Sequence, residues 1–196
     1  MSDNLFRDTY RIPSARAVWH AYNGGMYFVT ICTKEHQHYF GEIDTNGMHM
    51  SAIGRYAEEQ LRNAVNHYPY AEIPLWVVMP NHIHAIVIIH GDCRDVACNV
   101  SCDAEINEPL DVARNVSTWN GKNDYMSGKS PKSGSLAVII RGIKSAITKY
   151  ARVNNIPFAW QTRFHDHIVR DTTEMNGIAD YIENNVARWQ TDRFYT

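Results

Sequence analysis

The sequence predicts an α+β domain of ferredoxin-like (RRM-like) type: an antiparallel sheet with helices on one face, plus one further helix at the carboxyl end. Three observations predict it. Apolar patterning switches between periods of two and 3.6 residues in the order strand, helix, strand, strand, helix, strand, helix. The two middle strands are separated only by Pro80-Asn81, which makes them a tight hairpin. The first two helical stretches each carry one apolar stripe, as helices covering a sheet do.

Taken in order, Gly25 to Thr33 is rich in β-branched and aromatic residues and reads as the first strand. Tyr39 to Met50 holds Asp44-Thr45-Asn46-Gly47 between two short strand-like runs, a hairpin signal because Asn-Gly tolerates positive φ. Ser51 to Tyr68 then takes helical spacing, with Ile53, Ala57, Leu61, Ala64 and Val65 on one stripe and Pro69 closing it. Ile73 to Met79 and His82 to His90 form the central hairpin. Residues 91–133 are polar and lose the apolar periodicity. They carry a small echo, Asp95-Val-Ala-Cys-Asn-Val-Ser101 against Asp111-Val-Ala-Arg-Asn-Val-Ser117, and are expected to form a flexible insertion. Ser135 to Val153 resumes a helix, with Val138, Ile139, Ile143, Ala146, Ile147 and Tyr150 inward. Phe158 to Arg170 is extended in character. Asp171 and Glu174 fit an N-cap and its N3 partner, opening a last helix with Ile178, Ile182, Val186 and Trp189 inward.

The 196 residues suit one domain with one core. Hydrophobic content of 44% and charged content of 20% are globular values, and no apolar run reaches bilayer-spanning length, so no membrane partner is expected. The opening Met1-Ser-Asp-Asn-Leu-Phe-Arg-Asp8 lacks a basic region followed by an apolar one, and a cytoplasmic location is expected. Cys93, Cys98 and Cys102 cluster, but with Cys32 their spacing matches a zinc site poorly, so reduced thiols are the expectation. The net charge of −2 conceals an asymmetry. Between Lys129 and Arg170 eight basic residues face only Asp166, whereas Asp103, Glu105, Glu108 and Asp111 make the preceding stretch acidic.

Chemistry concentrates in Trp76-Val-Val-Met-Pro-Asn-His-Ile-His84. In a strand His82 and His84 point to the same face, so two imidazoles there make half a metal site, although such a pair also occurs simply at the polar edge of a sheet. In the last helix Tyr181 and Asn185 are four apart and share a face. A phenol beside an amide oxygen suits attack on phosphorus next to a metal held by imidazoles. Tyr150 is a rival nucleophile, but lies on an apolar stripe and reads as core. His165 and His167 share a strand face and fit either packing or support of the same cleft. Arg141, Lys144, Lys149, Arg152 and Arg163 are candidates to hold phosphates, against the ordinary reading of a solvated helix face.

These motifs together resemble the single-tyrosine HUH transposases, and among them the REP-associated tyrosine transposases. The resemblance rests on Trp76 to His84 as the histidine-hydrophobic-histidine motif, on Ala159 to Arg170 as the strand before the catalytic helix, and on Asp180-Tyr-Ile-Glu-Asn-Asn185 as the tyrosine helix. With the first strand they span roughly residues 25–190. The resemblance implies that Tyr181 is the nucleophile, that His82 and His84 bind a divalent metal, and that Asn185 adds a side-chain oxygen. It also implies cleavage and rejoining of single-stranded, hairpin-containing DNA through a 5′-phosphotyrosine, with a free 3′-hydroxyl on the other fragment. Val186 departs from the proline of many relatives, and compact members lack the 91–133 insertion.

Mixed imidazole and amide ligation suits Mg²⁺ or Mn²⁺. Two other functions fit the same fold: a catalytically inactive nucleic-acid-binding module, and a phosphodiesterase in which water attacks. A monomer and a homodimer that exchanges tyrosine helices are both compatible with the sequence.

Overall fold

The computed structural model describes residue 22, residues 24–90 and residues 134–195; the expected 91–133 insertion and Cys93, Cys98 and Cys102 lie outside the described residues. The main sheet contains β1 (Gly25–Cys32), β4 (Ala71–Val78), β5 (His82–Ile89) and β6 (His165–Val169), ordered β4-β5-β1-β6. Every neighbouring pair is antiparallel. This is the predicted ferredoxin-like order, with the first and third strands of the sheet at its centre. A Thr45-Asn46 turn closes β2 (Gly41–Asp44) on β3 (Gly47–Met50), with Gly47 rather than Asn46 at positive φ, and the two strands form a separate hairpin.

Alternation along the strands divides the residues between two faces. Tyr27, Val29 and Ile31 of β1 lie opposite Val87, Ala85 and Ile83 of β5. They form the core beneath α1 (Ala52–Arg62) and α3 (Leu136–Val153). The intervening residues Phe28, Thr30 and Cys32 pair with Ile86, His84 and His82 and point to the other face. That face carries α4 (Thr172–Glu183) and the segment after it.

Two of the helices begin where the sequence supplies a side-chain cap. Ser51 Oγ accepts from Gly54 N for α1, and Asp171 Oδ1 accepts from Glu174 N for α4. Two expectations are corrected. The 51–68 helix breaks at Asn63 into α1 and α2 (Ala64–His67), and the break rotates Val65 off the stripe, leaving it 50% exposed. The last helix stops at Glu183, where Asn184 takes the C-cap. Asn185 and Trp189 therefore reach the interior from an irregular segment rather than a continued helix.

Candidate active site

The site is built from the base of the central hairpin. Asn81 O accepts from the backbone N and the hydroxyl of Thr33, so the turn that opens β5 is tied to the chain leaving β1. His82, His84 and Asn81 are fully buried. The imidazoles of His82 and His84 lie 4.4 Å apart, centroid to centroid.

Each imidazole is oriented through Nδ1. Asn81 Nδ2 donates to Phe194 O (2.8 Å), which turns Asn81 Oδ1 towards His82 Nδ1 at 2.8 Å. That bond requires a proton on His82 Nδ1 and leaves Nε2 as a bare lone pair. Thr30 Oγ1 sits 2.9 Å from His84 Nδ1, directly across the β1–β5 ladder. Burial, joined by His84, holds His82 down to about 2; burial above all holds His84 down to about 4. Both rings are thus neutral at physiological pH.

The tyrosine arrives from the opposite side. Tyr181 Oη lies 3.3 Å from His84 Nε2 and donates to Asp192 Oδ2 at 2.8 Å. Asn185 Nδ2 also donates to Asp192 Oδ2, at 3.2 Å. Phe194 N closes the loop on Asp192 Oδ1 at 2.7 Å. Burial first, then the Asp192 carboxylate, pushes the Tyr181 phenol up to about 12.

Two atoms show what this enclosure lacks. His82 Nε2 and Asn185 Oδ1 are buried without a hydrogen-bond partner. Unpaired buried acceptors are costly, and a divalent cation satisfies such lone pairs. His82, His84 and Asp192 offer ligand atoms all within 4.8 Å of one another, a group that could hold a metal ion. Two imidazoles and a carboxylate are donors that a divalent cation accepts, without any thiolate.

Sequence reasoning did not find Asp192, Asn81 or Thr30. Asp192 follows the last periodic residue by three positions and carries no spacing signal; its only cue is a carboxylate shortly after a Tyr-x-x-x-Asn pattern. The cross-strand pairing of Thr30 with His84 appears only once register is fixed.

The other candidates lie elsewhere. Tyr150 stacks on Tyr56 at 4.1 Å and packs against the core under the sheet. His165 and His167 do share the sheet face of His84, paired with Thr30 and Phe28. His167 Nε2 meets Glu174 Oε1 at 2.6 Å, holding the first turn of α4. Arg141, Lys144, Lys149 and Arg152 line a groove of about 480 Å³ on the outer side of α3, with Thr148 and Phe164. Lys144 Nζ donates to Gln161 O and lies 5.3 Å over the Trp160 ring. Arg163 belongs to the segment before β6 and is not part of that lining.

No protein-family model matches the chain. A Haemophilus influenzae protein, named only as an uncharacterized protein, is 30% identical over 172 residues, covering 87% of this chain and 85% of the relative. Among solved structures, a REP-associated tyrosine transposase bound to a REP hairpin aligns with 89% of this chain and 74% of its own, at a TM-score of 0.51 and 16% identity. No helix among the described residues is long and apolar enough to cross a membrane. The chain belongs to one family with the Haemophilus influenzae protein, and it shares its fold with the REP-associated tyrosine transposase.

Proposed function

We propose that the protein is a metal-dependent, transposase-type transesterase that cleaves and rejoins hairpin-containing single-stranded DNA through a 5′-phosphotyrosine. The observation that carries this reading is the Tyr181 hydroxyl 3.3 Å from His84 Nε2, beside the two unsatisfied buried ligand atoms of His82 and Asn185. The bound hairpin in the REP-associated transposase favours the same class of substrate.

His82, His84 and Asn185, joined by Asp192, would hold Mg²⁺ or Mn²⁺. Such an ion supplies Lewis acidity, polarising a phosphate oxygen and orienting the diester. Tyr181 Oη attacks phosphorus as the bond to the 3′ oxygen breaks, and the departing oxygen leaves as the 3′-hydroxyl once protonated. The phenol proton passes to Asp192 Oδ2, which already accepts it as a hydrogen bond. The phosphotyrosine keeps the diester's energy, so a 3′-hydroxyl attacking in reverse rejoins DNA without ATP.

Arg141, Lys144, Lys149 and Arg152 supply a phosphate-binding groove on α3, with Arg163 nearby in sequence. His165 and His167 support the cleft from β6, His167 through the first turn of the tyrosine helix. One chain supplies both the phenol and the imidazoles, so the site needs no exchange of helices between subunits. We read the chain as one domain interrupted at 91–133.

Incubation of 5′-labelled and 3′-labelled hairpin oligonucleotides with the protein and Mn²⁺ tests the reading. A covalent protein–DNA adduct on the 5′ phosphate is expected, and Tyr181→Phe abolishes it. Cleavage that leaves no protein on the 5′ end points to attack by water. Binding without cleavage points to a non-catalytic module, and an undiminished adduct in Tyr181→Phe refutes the nucleophile.

A further inference from the structure

The site is rich in hydrogen-bond acceptors and poor in donors. His82 Nε2 carries a bare lone pair and Asp192 a carboxylate, while the donors of Asn81, Tyr181 and Asn185 are turned to Phe194 O and to Asp192. A phosphodiester brought to Tyr181 Oη carries a full negative charge and meets that carboxylate at close range. More negative charge gathers on its non-bridging oxygens in the transition state. Of residues 192–195, which close the site, Arg193 alone is a cation.

Arg193 is fixed on both flanks. Before it, Asp192 Oδ2 accepts from Tyr181 and Asn185; after it, Phe194 O accepts from Asn81 Nδ2 and Phe194 N donates to Asp192 Oδ1. The backbone at 193 is thus tied to α4 on one side and to the histidine hairpin on the other, whereas the side chain is exposed. The guanidinium carbon lies 4.5 Å over the Phe194 ring, and that ring is 4.7 Å from His82 and 6.0 Å from His84. One ring separates the cation from the imidazoles. Burial does most to hold His82 and His84 down, and the Arg193 charge acts in the same direction; the Tyr181 phenol, pushed up by burial and Asp192, is drawn the other way by Arg193. No hydrogen bond or ion pair holds the guanidinium among the described residues, so its N–H donors are unspent.

We infer that Arg193 is a catalytic residue of the strand-transfer reaction: its guanidinium grips a non-bridging oxygen of the scissile phosphate while the bond from Tyr181 Oη to phosphorus forms and the bond to the 3′ oxygen breaks. This rests on the reading of the protein as a single-stranded DNA transesterase, and it supplies the charge that offsets a phosphate held beside Asp192. A guanidinium suits the task because it stays charged at every working pH and meets phosphate as a planar fork, and the Phe194 face beneath it keeps that plane in place. Lysine brings the charge without the fork. Arg141, Lys144, Lys149 and Arg152 line their own groove on α3, which Arg193 does not share.

The test uses full-length protein and hairpin oligonucleotides with an unpaired flank, in which each flanking phosphate in turn is replaced by a methylphosphonate. That group is uncharged and has a methyl in place of one non-bridging oxygen. Binding is read first, by fluorescence anisotropy with Tyr181→Phe protein in the presence of a chelator, so that neither metal nor adduct enters. At one position the replacement is expected to weaken binding about tenfold, the scale of one charge-assisted hydrogen bond. Adding Arg193→Ala brings that penalty to about twofold or less, and Arg193→Lys leaves it in between. Rates are read second, with Tyr181 intact, Mn²⁺ present and DNA saturating. Arg193→Ala should slow adduct formation on the natural phosphate about 100-fold, as loss of a preorganised donor does, and on the methylphosphonate about threefold or less. The sensitive position is expected to be the cut site. Equal slowing on both substrates marks a merely structural role and overturns the proposal. A methylphosphonate penalty that survives Arg193→Ala, no sensitive position, or one away from the cut site does the same. Absence of an adduct with both residues intact counts against Tyr181 and not against the phosphate contact, which the binding measurement then decides alone.

Discussion

Asp192 is the residue on which the electrostatics of the site turn. Its carboxylate takes hydrogen bonds from Tyr181 and Asn185 and, with burial, raises the phenol to about 12. Asp192→Asn should therefore lower the Tyr181 titration midpoint, which stays above the ordinary tyrosine value because burial persists; ultraviolet difference titration against Tyr181→Phe reads it. The same substitution should slow adduct formation at neutral pH, because the proton acceptor is lost even though the phenolate has become easier to form. A faster reaction would show that Asp192 only restrains the phenol. The histidines give a second prediction. Their folded values, about 2 and about 4, lie below the ordinary 6.5, so the unfolded chain binds protons that the fold refuses. Stability is then full above about 6.5 and falls on acidification, by about 1.4 kcal/mol per histidine per pH unit until His84 itself titrates near 4. Urea unfolding of metal-free protein between pH 7.5 and 4.5 checks the slope, which should be shallower in His82→Gln. Residue types and spacing made His82, His84, Tyr181 and Asn185 legible as candidates. Asp192 was not legible, because its place depends on how an irregular segment folds back over the sheet.

α4 shows how an element can carry the proposed nucleophile to a fixed place. Asp171 caps it, while Glu174 Oε2 accepts from Arg170 N and Glu174 Oε1 meets His167 on β6. The helix start is therefore anchored to the edge strand, and Tyr181 lies on the third turn from that anchor. Asp171→Ala should cost about 1 kcal/mol in chemical denaturation, as should Ser51→Ala at α1. Only the first should also lower adduct yield beyond what its stability loss explains, because α1 lies on the opposite face of the sheet. Gly54 in α1 offers a contrasting case. A Cβ there would run into the Phe40 carbonyl oxygen, so Gly54→Ala should destabilise by at least about 1 kcal/mol despite alanine's better helix propensity. The Asp171 cap and both stripes could be read from the sequence; the Ser51 cap was not. The break at Asn63 could not, because the apolar positions continue past it in near-helical spacing and only the exposed Val65 records the change of phase.

At the scale of the molecule, the sheet order was legible because it follows from two local facts: a two-residue central hairpin, and crossover helices that must cover one face. The division of labour between faces needed the register. It puts Val29, Ile31, Ile83, Ala85 and Val87 under the helices, and the histidines on the side closed by α4 and the last described residues. The cationic α3 groove shares no lining residue with the proposed site, and predicts that binding and chemistry separate. Arg141→Ala, Lys149→Ala and Arg152→Ala should each reduce the slope of log affinity against log salt, by about 0.9 for every duplex phosphate the side chain neutralises. Adduct formation at saturating DNA should change far less. The carboxyl-terminal residues complete the site, since Phe194 O holds Asn81 and the Phe194 ring rests 4.7 Å from His82. A polyhistidine handle fused after Thr196 would begin three residues beyond Phe194 and offer rival imidazoles near His82 and His84. Metal titrations of this protein are therefore best made with the handle at the other end of the chain, or cut away.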